Sequence, residues 1–209
     1  MSETIHPAPK VVVFDWGGIF TEGTFDADAV RNLANQAGAT QEEIGKTYFP
    51  LMEEFEAGAF DIEEFTTRFL RESGLSLSRE QFQETFLSSG IDRPEMFELL
   101  ATIPAQTPVA ILSNNVPVLC DRVRHDPRMK RVDRFLFSNE IGVRKPDAGA
   151  FERLRQELDL DYDGMIFIDD NRANIDAANA LGITGIHYQE WDSFHAAFRA
   201  LVPASGQEA

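Results

Sequence analysis

Basic residues are scarce in this chain: 19 Lys and Arg stand against 35 Asp and Glu in 209 residues, a formal charge of −16. A field of that sign repels nucleic acid and anionic membranes wherever salt leaves it unscreened, so neither is an expected partner. Cysteine is nearly absent. Cys120 stands alone, which excludes a disulfide within the chain and fits a reducing compartment. Long hydrophobic runs are also missing, and no stretch approaches the roughly 18 apolar residues of a membrane helix. Met1–Pro9 has neither the basic start nor the apolar middle of a signal peptide. The resulting expectation is a cytoplasmic protein. Its four histidines, His6, His125, His187 and His195, fall at no metal-ligand spacing and are read as structural or surface residues. The remaining composition, 43% hydrophobic with 14 Gly and 10 Pro, excludes disordered and fibrous classes. A chain of this size suits one domain with an insertion.

Val11-Val12-Val13-Phe14 is an unbroken apolar, largely β-branched run, the pattern of a strand buried on both faces of a parallel sheet. Pro108–Leu112, Phe135–Phe137, Met165–Ile168 and Thr184–His187 are predicted as further strands. Helical segments alternate with them, among them one starting near Pro94, one over Asp147–Leu158 and one near Asn174–Leu181. That alternation predicts an α/β fold with a doubly wound parallel sheet. Between Phe25 and Gly90 the pattern is helical throughout. Capping boxes at Thr40/Glu43 and Asp61/Glu64, a third start at Ser78/Gln81, and glycines at 38, 58, 74 and 90 divide it into four helices. The expected organisation is an α/β core over 10–22 and 91–202, with an inserted helical cap over 23–90. The tails, about 1–9 and 203–209, are expected to fray.

Asp15, Ser113-Asn114, Lys145 and Asp169-Asp170 all fall at strand ends or at the helix starts that follow them. In a parallel sheet these ends share one edge, where open α/β folds bind ligands. Several carboxylates gathered there need a cation, since like charges at short range oppose each other's ionisation. Mg²⁺ suits one or two carboxylates, waters and a phosphate oxygen. Lys145, Ser113 and the helix amides after Asn114 are the expected phosphate-binding groups.

VVVFDWGGIFT, ILSNN, RKPD and FIDDNRANIDAANALGI resemble, in order and spacing, the four motifs of the haloacid dehalogenase-like hydrolase superfamily. The resemblance covers about residues 11–190 and is closest to members with a small helical cap after the first motif. FEAGAFDIEEF in the cap adds a likeness to the bacterial phosphatases acting on α-glucose-1-phosphate. The resemblance implies a Rossmann-like core and a Mg²⁺-dependent phosphatase acting on a small phosphorylated metabolite. Asp15 would be the nucleophile. Asp15, the Gly17 carbonyl, Asp170 and Asp169, the last directly or through water, would hold the metal. Ser113, Asn114 and Lys145 would hold the phosphate.

One position departs from the superfamily pattern. Where many members carry a second aspartate as general acid and base, this chain has Gly17. Either Glu53, Glu54, Glu56 or a substrate hydroxyl substitutes, or the leaving group needs less help, or the protein is a weak or inactive binding protein. Metal-independent 2-haloacid dehalogenation is a further alternative, opposed by Asp169 and Asp170. The sequence leaves monomer or homodimer open. The acidic cap face formed by Glu42, Glu43, Glu53, Glu54, Glu63 and Glu64 is read as a solvated surface.

Overall fold

A computed structural model describes residues 9–204. His6, most of the Met1–Pro9 segment and most of both tails lie outside these described residues. Five strands, β1 (Val11–Phe14), β2 (Val109–Ser113), β3 (Arg134–Phe137), β4 (Met165–Asp169) and β5 (Thr184–His187), form one parallel sheet in the order β3-β2-β1-β4-β5. The first strand therefore lies in the middle, and the chain winds outward from it in both directions.

Alternation along the strands divides the side chains between two layers. Val12, Phe14, Ile111, Ile166 and Ile168 face one hydrophobic cluster. Val11, Val13, Ala110, Leu112 and Phe167 face another. A strand with a core on each side has no solvent face, which is why β1 is apolar without interruption.

Four helices follow β1: α1 (Phe25–Ala37), α2 (Gln41–Glu56), α3 (Ile62–Ser73) and α4 (Arg79–Leu87). Thr40/Glu43 and Ser78/Gln81 form complete capping boxes. At α3 only half of the expected box is present: Asp61 accepts from the Glu64 amide at 2.9 Å. An aspartyl side chain caps well in that single direction. The four helices bury their own aromatic cluster, including Tyr48, Phe55, Phe65, Phe69, Phe82 and Phe86, and also take in Val116 and Leu119 from the core side.

The rest of the chain adds α5 (Pro94–Ala101), α6 (Pro117–His125), the short α7 (Ser138–Ile141), α8 (Ala148–Leu158), α9 (Arg172–Ala180) and α10 (Trp191–Leu201). Helix α10 goes beyond the elements expected from sequence, and buries Phe194 and Phe198. No helix of the described residues is long and apolar enough to cross a membrane.

The two strands of chain linking the helical insertion to the core meet at an antiparallel bridge between Thr21 and Asp92. Arg93 fixes this junction. Its guanidinium donates to the carbonyls of Ile19 at 2.9 Å, Thr21 at 2.9 Å and Gly18 at 3.2 Å, and to the Tyr188 hydroxyl at 2.5 Å. Arg93→Ala is expected to lower stability by about 2 kcal/mol, because hydrogen bonds from a charged donor are worth more than neutral ones. Urea unfolding of the two proteins checks it.

Candidate active site

Asp15 follows β1 directly, and its amide continues the sheet by donating to the Ile168 carbonyl at 2.8 Å. Because β1 lies between β2 and β4, this is the point where the winding of the sheet reverses and a crevice opens. One Asp15 oxygen, Oδ1, accepts from the Trp16 amide at 2.7 Å. The other, Oδ2, lies 3.0 Å from Lys145 Nζ. Burial raises the Asp15 pKa, with Lys145 opposing, Asp169 adding to the rise, and the nearby Ser113 hydroxyl opposing it again.

Lys145 is buried and bridges two carboxylates, reaching Asp169 Oδ2 at 2.7 Å as well. Burial alone would lower its pKa, but Asp15 and Asp169 outweigh that and hold the ammonium above its ordinary value. Its position is set by Asn114. The Asn114 Nδ2 donates to the Lys145 carbonyl at 2.9 Å, and Oδ1 accepts from the Lys145 amide at 2.8 Å. The side chain expected on a phosphate is thus used on the main chain of Lys145, a pairing that needs two loops side by side and leaves no mark in local sequence.

The expectation for Asp169 also changes. It is fully buried, and both its oxygens are engaged: Oδ1 by the Asn171 amide at 2.7 Å, Oδ2 by Lys145 and by Asn174 Nδ2 at 2.9 Å. It anchors Lys145 while still belonging to the carboxylate cluster. Asp170 instead borders the crevice. Its pKa is raised by burial and then by Asp169. Gly18 makes room for it: at φ +72°, a Cβ there would sit 2.2 Å from Asp170 Oδ2. Ligand oxygens of Asp15, Asp169 and Asp170 lie within 4.8 Å of one another.

The crevice encloses about 530 Å³ and is bounded by Asp15, Gly17, Ser113, Asn114 and Asp170 on the core side. Thr24, Phe25, Asp26, Met52 and Glu56 from the helical insertion bound the opposite side, with Arg144 beside them. Of the three glutamates considered as proton carriers, Glu53 and Glu54 are exposed and only Glu56 borders this space. Trp16 is buried in the central cluster, as a packing residue would be, while also bordering the crevice. His187, at the end of β5, places Nε2 2.9 Å from the Asp170 carbonyl. It thus has a supporting place at the site that histidine spacing alone did not indicate.

A family model described as haloacid dehalogenase-like hydrolase matches residues 9–182. The chain belongs to the haloacid dehalogenase-like hydrolase family. Among curated relatives of this hydrolase is a sesquiterpene phosphatase from Aspergillus oryzae, 26% identical over 187 residues, covering 85% of this chain and 89% of that one. A chloroplast flavin mononucleotide hydrolase from Arabidopsis thaliana is 28% identical over 141 residues, 67% of this chain and 57% of its own length. A family enzyme from Bacteroides thetaiotaomicron, solved with magnesium, shares the fold with a TM-score of 0.77 and 20% identity, covering 92% of this chain and 100% of that one.

Proposed function

We propose that this hydrolase is a Mg²⁺-dependent phosphatase that cleaves a small-molecule phosphomonoester, a sugar phosphate by preference, through an aspartyl-phosphate on Asp15. The observation that carries the proposal is that Asp15, Ser113 and Asp170 border one crevice, with the buried Lys145 ammonium 3.0 Å behind the Asp15 carboxylate. Phosphatases among the curated relatives support the reaction class. The likeness of the motifs to the α-glucose-1-phosphate branch, and the polar Asp26, Glu56 and Arg144 on the far wall, support a hydroxyl-rich leaving group.

The donor set fits a hard dication. It consists of oxygen ligands only, and beyond the effect of burial the Asp169 charge disfavours ionisation of both Asp15 and Asp170, a repulsion that a dication would relieve. Asp15, Asp170 and the Gly17 carbonyl would hold Mg²⁺, joined directly or through water by Asp169, which also orients Lys145 beside them. When bound, the ion would offset repulsion between the phosphate and the Asp15 carboxylate.

In the proposed reaction an Asp15 oxygen attacks phosphorus in line and the bond to the leaving oxygen breaks. Water then attacks the acyl phosphate, releasing phosphate and restoring Asp15. Lys145 and Ser113 neutralise charge on the equatorial oxygens. Asn114 holds the Lys145 backbone and borders the crevice where the phosphate would sit. The helical insertion over 23–90 covers the crevice, while the core over 10–22 and 91–202 carries the reacting groups.

A panel of sugar and alkyl phosphates tests the reading. Phosphate release is expected with Mg²⁺ and is expected to vanish with EDTA. Mg²⁺ binding without release from any ester would instead favour a binding protein that has lost turnover.

A further inference from the structure

A phosphatase built on Asp15 must place a proton on the departing oxygen, and Gly17 supplies none. The need for that proton rests on the phosphatase reading of the site. Ionisable groups bordering the crevice include Asp15, Asp26, Glu56, Arg144, Asp170 and His187. Asp15 is engaged as nucleophile and Asp170 as metal ligand. His187 Nε2 can only donate to the Asp170 carbonyl, because a carbonyl is solely an acceptor, so that face of the ring is committed. Arginine stays protonated throughout. Asp26 and Glu56 remain.

Their surroundings separate the two. Asp26 accepts from the Tyr48 hydroxyl at 2.7 Å, and Arg144 is the cation that acts on it. Glu56 lies within the field of Lys145, the group that touches Asp15. Both guanidinium contacts of Glu56, Arg144 Nη2 at 2.6 Å and Nε at 2.9 Å, fall on Oε2. Oε1 accepts no hydrogen bond among the described residues.

Glu56 is also fixed to the core, although it belongs to the insertion. Its carbonyl accepts from Ser138 Oγ at 2.6 Å, and Ser138 in turn accepts from the Asn115 amide at 3.0 Å. The nearby Gly58, at φ +80°, passes so close to α7 that a Cβ would meet the Asn139 carbonyl at 2.8 Å.

We propose that Glu56 is the general acid and base of this enzyme, taking over through the cap the role that the chain lacks at Gly17. As the bond between phosphorus and the leaving oxygen breaks, Glu56 gives that oxygen its carboxyl proton and becomes a carboxylate. In the second step it takes a proton from the attacking water as the bond between phosphorus and Asp15 breaks, so the cycle closes without a net change. Arg144 retains the side chain in either state. Burial, with Asp26 adding to it and Arg144 and Lys145 opposing, pushes the Glu56 pKa up to about 7, where it can both give and receive a proton near neutrality. Tyr48 is the further titratable group in its field.

Leaving-group dependence tests the proposal. Glu56→Gln is expected to lower kcat on an alkyl phosphate such as a sugar phosphate by about 10²-fold or more. On p-nitrophenyl phosphate, whose leaving group needs no proton, the first-turnover burst of p-nitrophenol should slow by less than about 10-fold, while later turnovers slow because Glu56 is also the base of the second step. Wild-type kcat/KM on the alkyl ester should fall as the pH rises past Glu56 ionisation, and Glu56→Gln should remove that limb. Glu56→Asp, which keeps an acid, should recover part of the alkyl activity that Glu56→Gln loses. Equal losses in the release of the two leaving groups, no loss on either, or a selective loss in Asp26→Asn instead would overturn the assignment. None of these would touch Asp15 as nucleophile, whereas no release by the wild-type enzyme from either ester would remove the underlying reading too.

Discussion

Asp15→Asn is expected to leave less than about one thousandth of wild-type phosphate release, because the variant loses the attacking oxygen and not just a binding contact. The amide is nearly isosteric, and its oxygen can still accept from the Trp16 amide that Asp15 engages at 2.7 Å. The fold should therefore survive. Burial disfavours the charged carboxylate here, so stability should hold or rise as activity disappears, the exchange expected where a buried functional charge is removed. Parallel measurement of phosphate release and thermal unfolding checks both halves. A fall in melting temperature matching the loss of turnover would reduce Asp15 to a structural role.

Lys145→Met is expected to destabilise the protein by about 3–5 kcal/mol, the range for breaking a buried ion pair from one side. Asp169 is fully buried and Asp15 nearly so, with Lys145 Nζ at 2.7 and 3.0 Å from them. Methionine fills much of the volume and leaves the two carboxylates facing each other. Adding Asp15→Asn to Lys145→Met should restore part of the loss, since one of the two stranded charges is then gone. Urea unfolding of the single and double variants measures it. Simple additivity of the two substitutions would show that the three side chains do not act as one unit.

The sheet was legible because strands buried on both faces admit no polar residue. Val11–Phe14 and Met165–Ile168 therefore stand out, and the acids that end such runs mark the functional edge. The insertion was legible through its caps, which are local in sequence. Contacts across the chain were not. Arg93 acts on carbonyls more than 70 residues earlier, and nothing local distinguishes it from a surface arginine. Asn114 likewise acts on Lys145, 31 residues away. Glu56 is an intermediate case. Ile44, Tyr48, Met52 and Glu56 recur every four residues along α2, all buried, so spacing alone places this glutamate on the buried stripe and Glu53 and Glu54 off it. Asp169 and Asp170 show the limit of motif reading: adjacent and chemically identical, with oxygens in one cluster, one is fully buried on Lys145 and the other borders the crevice.

Transfer of phosphorus to Asp15 is the step on which the proposed chemistry turns. Turnover of a ³²P-labelled phosphomonoester, stopped in acid and followed by peptide mapping, measures that transfer directly. Label is expected on the peptide containing Asp15, appearing during turnover and absent from Asp15→Asn. Steady release of phosphate with no label on the protein, or with label on another residue, would contradict it.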